Sequence, residues 1–397
     1  MKNILVDLID TQECYKGSGV YIRTVFLALL KCVEDKMEYS DVHFVCVYDF
    51  NKVCLYSDIS IEVLSANPRV TVADISVSSF PEICIKYSVS TIFLGFGQQI
   101  YNYNFIGIKC RTICVLHDIF NLEFKNTKLD EYLRLFEFDK KSIRQAIRCV
   151  YYSLKRIYNN YAGDHNPYDA HIHYFKTNPN YIIVTVSEFS FFSLQNYLPL
   201  DKDKIRILWS PNKSSSLLDH IDNVDLKRIV DSHMKYLLVV NADRALKNPH
   251  KAIDAFNKYV CDNPDTDLFL VTIGFNESLG KHHLVLPYVS DSDIEYAYLN
   301  CYALLYPSFF EGFGYPPVEV MKYGKPVLSS NVTSMPEVLG DAPIWFSPFY
   351  STDIYKAINT LMNSDYNGLC RKSVEQYIRI KKKQDSDLSE LVNLILS

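Results

Sequence analysis

Short apolar runs rich in β-branched and aromatic residues recur along the chain, and most are followed by a stretch of helical periodicity. In the first half, segments 4–9, 42–48, 70–75, 91–94 and 111–116 read as strands, and 20–32 reads as an amphipathic helix. Segment 181–190 returns to a buried strand, and Ser187-Glu188 at its end has the form of a helix N-cap with an acidic first turn. Strand 204–208 crosses a break near 200–212 into a second series. That series has strands 236–240, 268–274, 283–286, 302–306, 325–329 and 344–346, with helices 249–259, 291–300 and 334–339 between them and helices beyond. Strands alternating with helices predict an α/β protein built on parallel sheets. The length of 397 residues exceeds what one core usually holds. The expected domains are 1–205 and 206–375, followed by a last helix over 376–397.

One segment breaks the rhythm. Residues 124–180 are long for a connection and set Lys140, Lys141, Arg144, Arg148, Lys155 and Arg156 among tyrosines and isoleucines. They read either as a basic amphipathic helix lying on an anionic membrane surface or as a solvated helix bridging two strands.

In α/β sheets ligands bind at the carboxyl ends of the strands, so the candidate chemistry is sought there. Gly17-Ser18-Gly19 separates the first strand from the first helix, but Ile22 occupies the third glycine position of the dinucleotide fingerprint. His117 closes strand 111–116; by itself it fits a structural histidine as readily as a ligand contact. Arg244 and Lys247 follow strand 236–240 and precede a helix, a fork and a point charge that suit a diphosphate or else lie solvated on the surface.

The densest stretch is 306–319, YPSFFEGFGYPPVE. A strand gives way to a loop carrying Gly312, Phe313, Gly314 and Tyr315. Pro316 and Pro317 then open a helix expected to hold Glu319 in its first turn. Free backbone N–H groups beside a helix N-terminus suit phosphate, and Glu311 and Glu319 suit hydroxyls. Together they suit a phosphorylated sugar or a nucleotide.

This run, with Tyr306-Pro307-Ser308 before it and Tyr323-Gly324-Lys325-Pro326-Val327 after it, resembles the signature of retaining, nucleotide-sugar-dependent glycosyltransferases of family 4, the group 1 glycosyltransferases. The resemblance is dense over 236–346, thinner over 4–190, and does not cover 124–180. It implies the GT-B fold: two Rossmann-like domains facing each other across a cleft, with the C-terminal helix crossing back to the first domain. It also implies roles. Arg244, Lys247 and the backbone of Gly312, Phe313, Gly314 and Tyr315 would hold the donor diphosphate. Glu319 would take the ribose diol, Val289 would line the base pocket, and Glu311 and His117 would touch the transferred sugar. The loop of Gly17, Ser18 and Gly19 would approach donor phosphate or acceptor. The chemistry implied is metal-independent and cofactor-free. The likeness to polysaccharide mannosyl- and rhamnosyltransferases implies a GDP-mannose-like donor first and a UDP-sugar second, with a growing glycan or lipid-linked saccharide as acceptor. One departure is Asn241, where the family more often has glycine.

Composition narrows the classes further. A formal net charge of −5 argues against broad nucleic-acid binding. Eleven cysteines without a CxxC pair argue against a disulfide framework or zinc site and fit a reducing cytosol. No run of ~18 apolar residues suggests a membrane span, and MKNILVDLID lacks the features of a signal peptide. The expectation is a cytoplasmic protein, peripheral to a membrane if it touches one. Two other functions stay open: a glycosidase using Glu311 and Glu319, and a non-catalytic sugar-binding scaffold. A nicotinamide-dependent dehydrogenase is disfavoured by the broken glycine fingerprint.

Overall fold

The computed structural model describes residues 2–12, 17–97, 99–105, 107–123, 168–213, 221–276, 278–287 and 289–397. These form two compact units, one drawn from Met1–Glu123, His165–Ser214 and Lys382–Ser397, the other from Ser215–Lys381. The basic residues singled out between 140 and 156 lie outside the described residues.

The first unit is built on strands β1 (Lys2–Asp7), β2 (Val42–Tyr48), β3 (Val70–Asp74), β4 (Val89–Leu94), β5 (Arg111–Val115), β6 (Tyr181–Thr185) and β7 (Ile205–Ile207). They pair in parallel in the order β3-β2-β1-β4-β5-β6-β7. Leu5, Val45, Ile92, Cys114 and Ile183 are fully buried in one core cluster. Such apolar runs are what strands covered on both faces require. Chain order reverses between β1 and β4, which places a crevice at their carboxyl ends.

Two boundaries differ from expectation for physical reasons. β1 ends at Asp7 instead of Ile9, because the Asp7 carboxylate accepts the Ile9 N–H at 3.0 Å and turns the chain into a short 3-10 helix. Helix α1 (Gly17–Asp35) starts three residues before Val20, so Gly17, Ser18 and Gly19 form its first turn and not a loop. Gly19 sits where a Cβ would lie 3.0 Å from the Asp10 carbonyl, a tight approach that glycine relieves. Ser187 caps helix Glu188–Tyr197 by accepting the Ser190 N–H at 3.1 Å.

The second unit holds β8 (Lys235–Val239), β9 (Leu268–Ile273), β10 (His283–Leu286), β11 (Ala303–Tyr306), β12 (Val327–Ser330) and β13 (Ile344–Phe346). All pair in parallel, in the order β10-β9-β8-β11-β12-β13. Leu237, Leu270, Leu305 and Leu328 form the centre of its core. Here the reversal falls between β8 and β11.

The chain closes with a 31-residue helix, Tyr366–Leu396, whose final residues belong to the first unit. Gln384 donates to the Ser210 carbonyl at 2.7 Å, Asp387 accepts the Trp209 N–H at 2.8 Å, and Lys2 donates to the Leu396 carbonyl at 2.6 Å. Leu391, Val392, Ile395 and Leu396 are buried.

Candidate functional site

The reversal between β8 and β11 brings the loops that follow them side by side. The loop after β8 passes through Asn241 at φ 56° and ends in a 3-10 turn, Ala245–Lys247. Asparagine tolerates this left-handed conformation better than most residues, so Asn241 takes the place of the family's usual glycine without loss of the turn. Asn248, also left-handed at φ 54°, then admits Pro249 as the first residue of helix α2 (Pro249–Asp262). Phe309 donates its backbone N–H to Leu246 at 2.9 Å, and the Asn248 amide reaches the Pro307 carbonyl at 3.2 Å. These bonds stitch the two loops together.

The stitching sets Lys247 against Glu311. The Lys247 ammonium pairs with Glu311 Oε1 and donates to the Tyr306 hydroxyl at 2.8 Å. The Tyr306 hydroxyl in turn donates to the same Oε1 at 2.6 Å. Three groups thus close a ring around one carboxylate oxygen, with the Lys247 and Glu311 side chains each only 12% exposed. The ammonium also lies 5.0 Å from the Tyr306 ring centroid. Burial, and then the charge and hydrogen bond of Glu311, push the Tyr306 phenol well above its ordinary range, so it remains a neutral donor.

A third loop fixes Glu311 from behind. Its N–H donates to Thr333 Oγ1 at 3.1 Å, and Ser334 Oγ donates to its carbonyl at 3.0 Å. Thr333 is left-handed at φ 54°, an outlier for a β-branched residue.

Helix α3 (Asp291–Asn300) is followed in the chain by β11 and then α4 (Tyr315–Met321), which Gly314, at φ 87°, precedes. A Cβ on Gly314 would overlap the Met335 methyl. Because α4 begins at Tyr315, before the prolines, Glu319 stands just beyond its first turn and not within it. Tyr298 of α3 hydrogen-bonds Glu319; burial, then that charge and bond, raise its phenol well above the ordinary range. Gly312 and Phe313 are buried, and Phe313 packs edge-on against Tyr315 with centroids 5.5 Å apart. Val289 is buried between β10 and the α3 N-cap, Ser290. Arg244 is exposed, and its side chain makes no hydrogen bond or ion pair among the described residues.

His117 belongs to the first unit, just past the end of β5. Its Nε2 lies 3.0 Å from the Gly95 carbonyl. A carbonyl only accepts, so Nε2 carries the proton and Nδ1 keeps its lone pair. Burial lowers its pKa, which favours the neutral ring. Tyr21 of α1 meets the ring edge-on at 4.7 Å. At the end of β1 Asp7 is fully buried, and burial, with the Ile9 N–H opposing and Asp10 adding, pushes its carboxyl up to about 7.

Sequence reasoning did not single out Tyr298, Thr333 or Asp7, and placed Tyr306 at the end of an apolar strand and in the signature run without giving its side chain a role. Among the described residues no group of three or more His, Cys, Asp or Glu is arranged to hold a metal ion, and no helix is long and apolar enough to cross a membrane.

Residues 227–384 match the family of glycosyl transferases group 1. That stretch contains Arg244, Lys247, Glu311 and Glu319. It is a group 1 glycosyltransferase domain. Among characterised relatives, the O-antigen chain mannosyltransferase B of Escherichia coli is 52% identical over 63 residues, 16% of either chain. The O-antigen chain mannosyltransferase RfbU of Salmonella typhimurium is 30% identical over 175 residues, 42% of this chain and 46% of RfbU. The matched regions thus span less than half the length of these relatives.

The whole described fold has wider likenesses. Sucrose-phosphate synthase from Thermosynechococcus elongatus superposes with a TM-score of 0.65 at 12% identity, over 99% of this chain and 98% of that one. Anabaena Alr3699/HepE, solved with UDP and glucose, gives 0.60 at 13% identity, over 98% and 100%. With these neighbours, two parallel-sheet Rossmann-like units and the C-terminal helix, the glycosyltransferase domain is part of a GT-B fold.

Proposed function

We propose that the chain is a retaining glycosyltransferase that moves a hexose from a nucleoside diphosphate sugar to a growing glycan or lipid-linked saccharide. The observation that carries this reading is the meeting of Lys247 and Glu311 at the strand-order reversal of the glycosyltransferase domain. A cation for a diphosphate stands beside a carboxylate for sugar hydroxyls, at the place where open α/β sheets bind ligands.

In this reading Lys247, Arg244 and the backbone of 312–315 hold the diphosphate and stabilise the charge that grows on it as the anomeric bond breaks. Glu319 accepts both hydroxyls of the ribose, with charge-assisted bonds of roughly 1.5–3 kcal/mol each. Val289 lines the base pocket. Glu311 contacts the transferred sugar, and the leaving phosphate takes the acceptor's proton. The positive charge comes from side chains, so the reading requires no metal ion. Likeness of this chain to O-antigen mannosyltransferases favours a GDP-mannose-like donor, with UDP-sugars second. Such an acceptor would place the protein at the cytoplasmic face of a membrane. A hydrolase is not favoured, since it gives Arg244, and Lys247 paired to Glu311, no part in the chemistry.

The test is thermal shift of the full chain with GDP, UDP and ADP and their hexose conjugates, beside Glu319→Ala and Lys247→Ala. A ligand at about 100 times its Kd should add about 2.7 kcal/mol, a rise of several degrees in Tm. One nucleotide should stabilise the wild type and not Glu319→Ala, and Lys247→Ala should lose kcat/KM. If no nucleotide shifts the wild type, the donor-site reading fails.

A further inference from the structure

Tyr306 is 1% exposed and ends a central strand, out of reach of a ligand. Yet its hydroxyl makes two bonds that no other side chain of that shape can make: it donates to Glu311 Oε1 at 2.6 Å and accepts from Lys247 Nζ at 2.8 Å. We propose that Tyr306 is a positioning residue of the donor site, whose hydroxyl holds the Glu311 carboxylate in place while Lys247 moves from that carboxylate to the donor's phosphates. The inference rests on the donor-site reading above.

The geometry gives the hydroxyl a part that neither charged group can play. Both Lys247 and Tyr306 bond to Oε1, which leaves Oε2 for a sugar hydroxyl. When the ammonium turns to phosphate, Glu311 loses one of its two donors. The phenol, anchored in β11, keeps the other, so the carboxylate does not swing away from the sugar. A lysine stem is flexible and a sheet-bound ring is not. Phenylalanine would fill the same space and provide neither bond. Tyr298 offers the matching comparison, since it hydrogen-bonds Glu319 from helix α3. Its loss should fall on ribose binding and not on turnover.

The experiment uses the full chain as wild type, Tyr306→Phe, Tyr298→Phe, Lys247→Ala and the Tyr306→Phe/Lys247→Ala double variant. Affinity is measured for GDP and UDP. Turnover is followed as nucleoside diphosphate released from GDP-mannose or a UDP-hexose with water as acceptor; the anomeric C–O bond to phosphate breaks and a C–O bond to water forms. Loss of one charge-assisted bond corresponds to a fall of about 10- to 100-fold. Tyr306→Phe should show that fall in kcat while nucleoside diphosphate affinity stays within about threefold, a split opposite to that of Tyr298→Phe. In the Lys247→Ala background the Tyr306→Phe effect should persist at about tenfold or more, because the phenol is then, as when Lys247 has turned to the phosphates, the donor left to hold the Glu311 carboxylate.

Unchanged kcat in Tyr306→Phe, beside a wild type that binds and turns over, would overturn this inference alone. So would equal losses of kcat, affinity and Tm, or an effect that disappears in the Lys247→Ala background, since these mark a tyrosine that serves only the fold or the resting ion pair. A wild type that binds no nucleoside diphosphate would overturn the donor-site reading, and this inference with it.

Discussion

Replacing Asp7 by asparagine should change how the stability of the first unit responds to pH. The Asp7 carboxyl ends β1, is fully buried, and has one oxygen, Oδ2, without a hydrogen-bond partner. Burial pushes its pKa from 3.8 to about 7. Between those values the folded chain keeps a proton that the unfolded chain has released, so stability from this group is lost as pH rises and levels off above 7. From pH 5 to pH 8 the gap covers about two pH units, each worth 1.36 kcal/mol, or about 3 kcal/mol in all. His171 and His283, both lowered to about 4 by burial, work in the opposite sense and cost stability as pH falls below about 6.5. They titrate in both proteins, so the difference between Asp7→Asn and wild type isolates Asp7. Asparagine keeps an Oδ1 to accept the Ile9 N–H.

The chain has two tryptophans, Trp209 and Trp345. In a Trp345→Phe background, Trp209 reports denaturant unfolding of the first unit, to which it belongs. The stability of Asp7→Asn relative to wild type should rise by about 3 kcal/mol between pH 5 and pH 8. A difference that stays within about 1 kcal/mol across that range would show that Asp7 is not a buried, proton-holding carboxyl.

Two further outcomes follow from backbone and packing. Gly314→Ala forces a side chain into a left-handed position, costing about 1–2 kcal/mol, and overlaps the Met335 methyl; calorimetry should show a lower Tm and nucleotide titration at least a tenfold loss of affinity. Adding Met335→Ala should recover the steric part alone, and full recovery would refute the conformational argument. Ending the chain at Lys381 removes the buried Leu391, Val392, Ile395 and Leu396. At roughly 1.5–3 kcal/mol each, or about 6–12 kcal/mol together, that rivals a domain's whole stability, so Trp209 fluorescence should report an unfolded first unit at 25 °C.

Strands 42–48, 283–286 and 344–346 were legible to the residue, because β-branched and aromatic runs there stop at polar or turn-forming neighbours. The misses lie where a side chain captures backbone. Asp7 ends β1 early by accepting the Ile9 N–H, and Gly19 lets α1 start early by admitting the Asp10 carbonyl. At the site, Lys247 and Glu311 were visible as charged residues at strand ends, but nothing local says that they meet. That follows from strand order, which a sequence read alone does not contain. Arg244 was grouped with Lys247 by spacing; in the structure it is the extended N-cap of the 3-10 turn and is exposed, while Lys247 is largely buried. Tyr306 stood in the signature run, but the bonding of its hydroxyl was hidden because a tyrosine in an apolar strand reads as core. Thr333 was hidden because its Oγ1 accepts the N–H of a residue 22 positions away.

The ring of Lys247, Tyr306 and Glu311 also decides what the site refuses. Orthophosphate or sulfate can take the lysine only by leaving a carboxylate at 12% exposure short of its counter-ion, and stripping one partner from a buried pair costs about 3–5 kcal/mol. A ligand that carries hydroxyls with its phosphates repairs Glu311 as it takes Lys247. On the donor-site reading, a nucleoside diphosphate would be compensated elsewhere, through Glu319. On that reading, the internal ion pair would act as a selectivity filter against small anions, set by the need to replace a counter-ion and independent of pocket size.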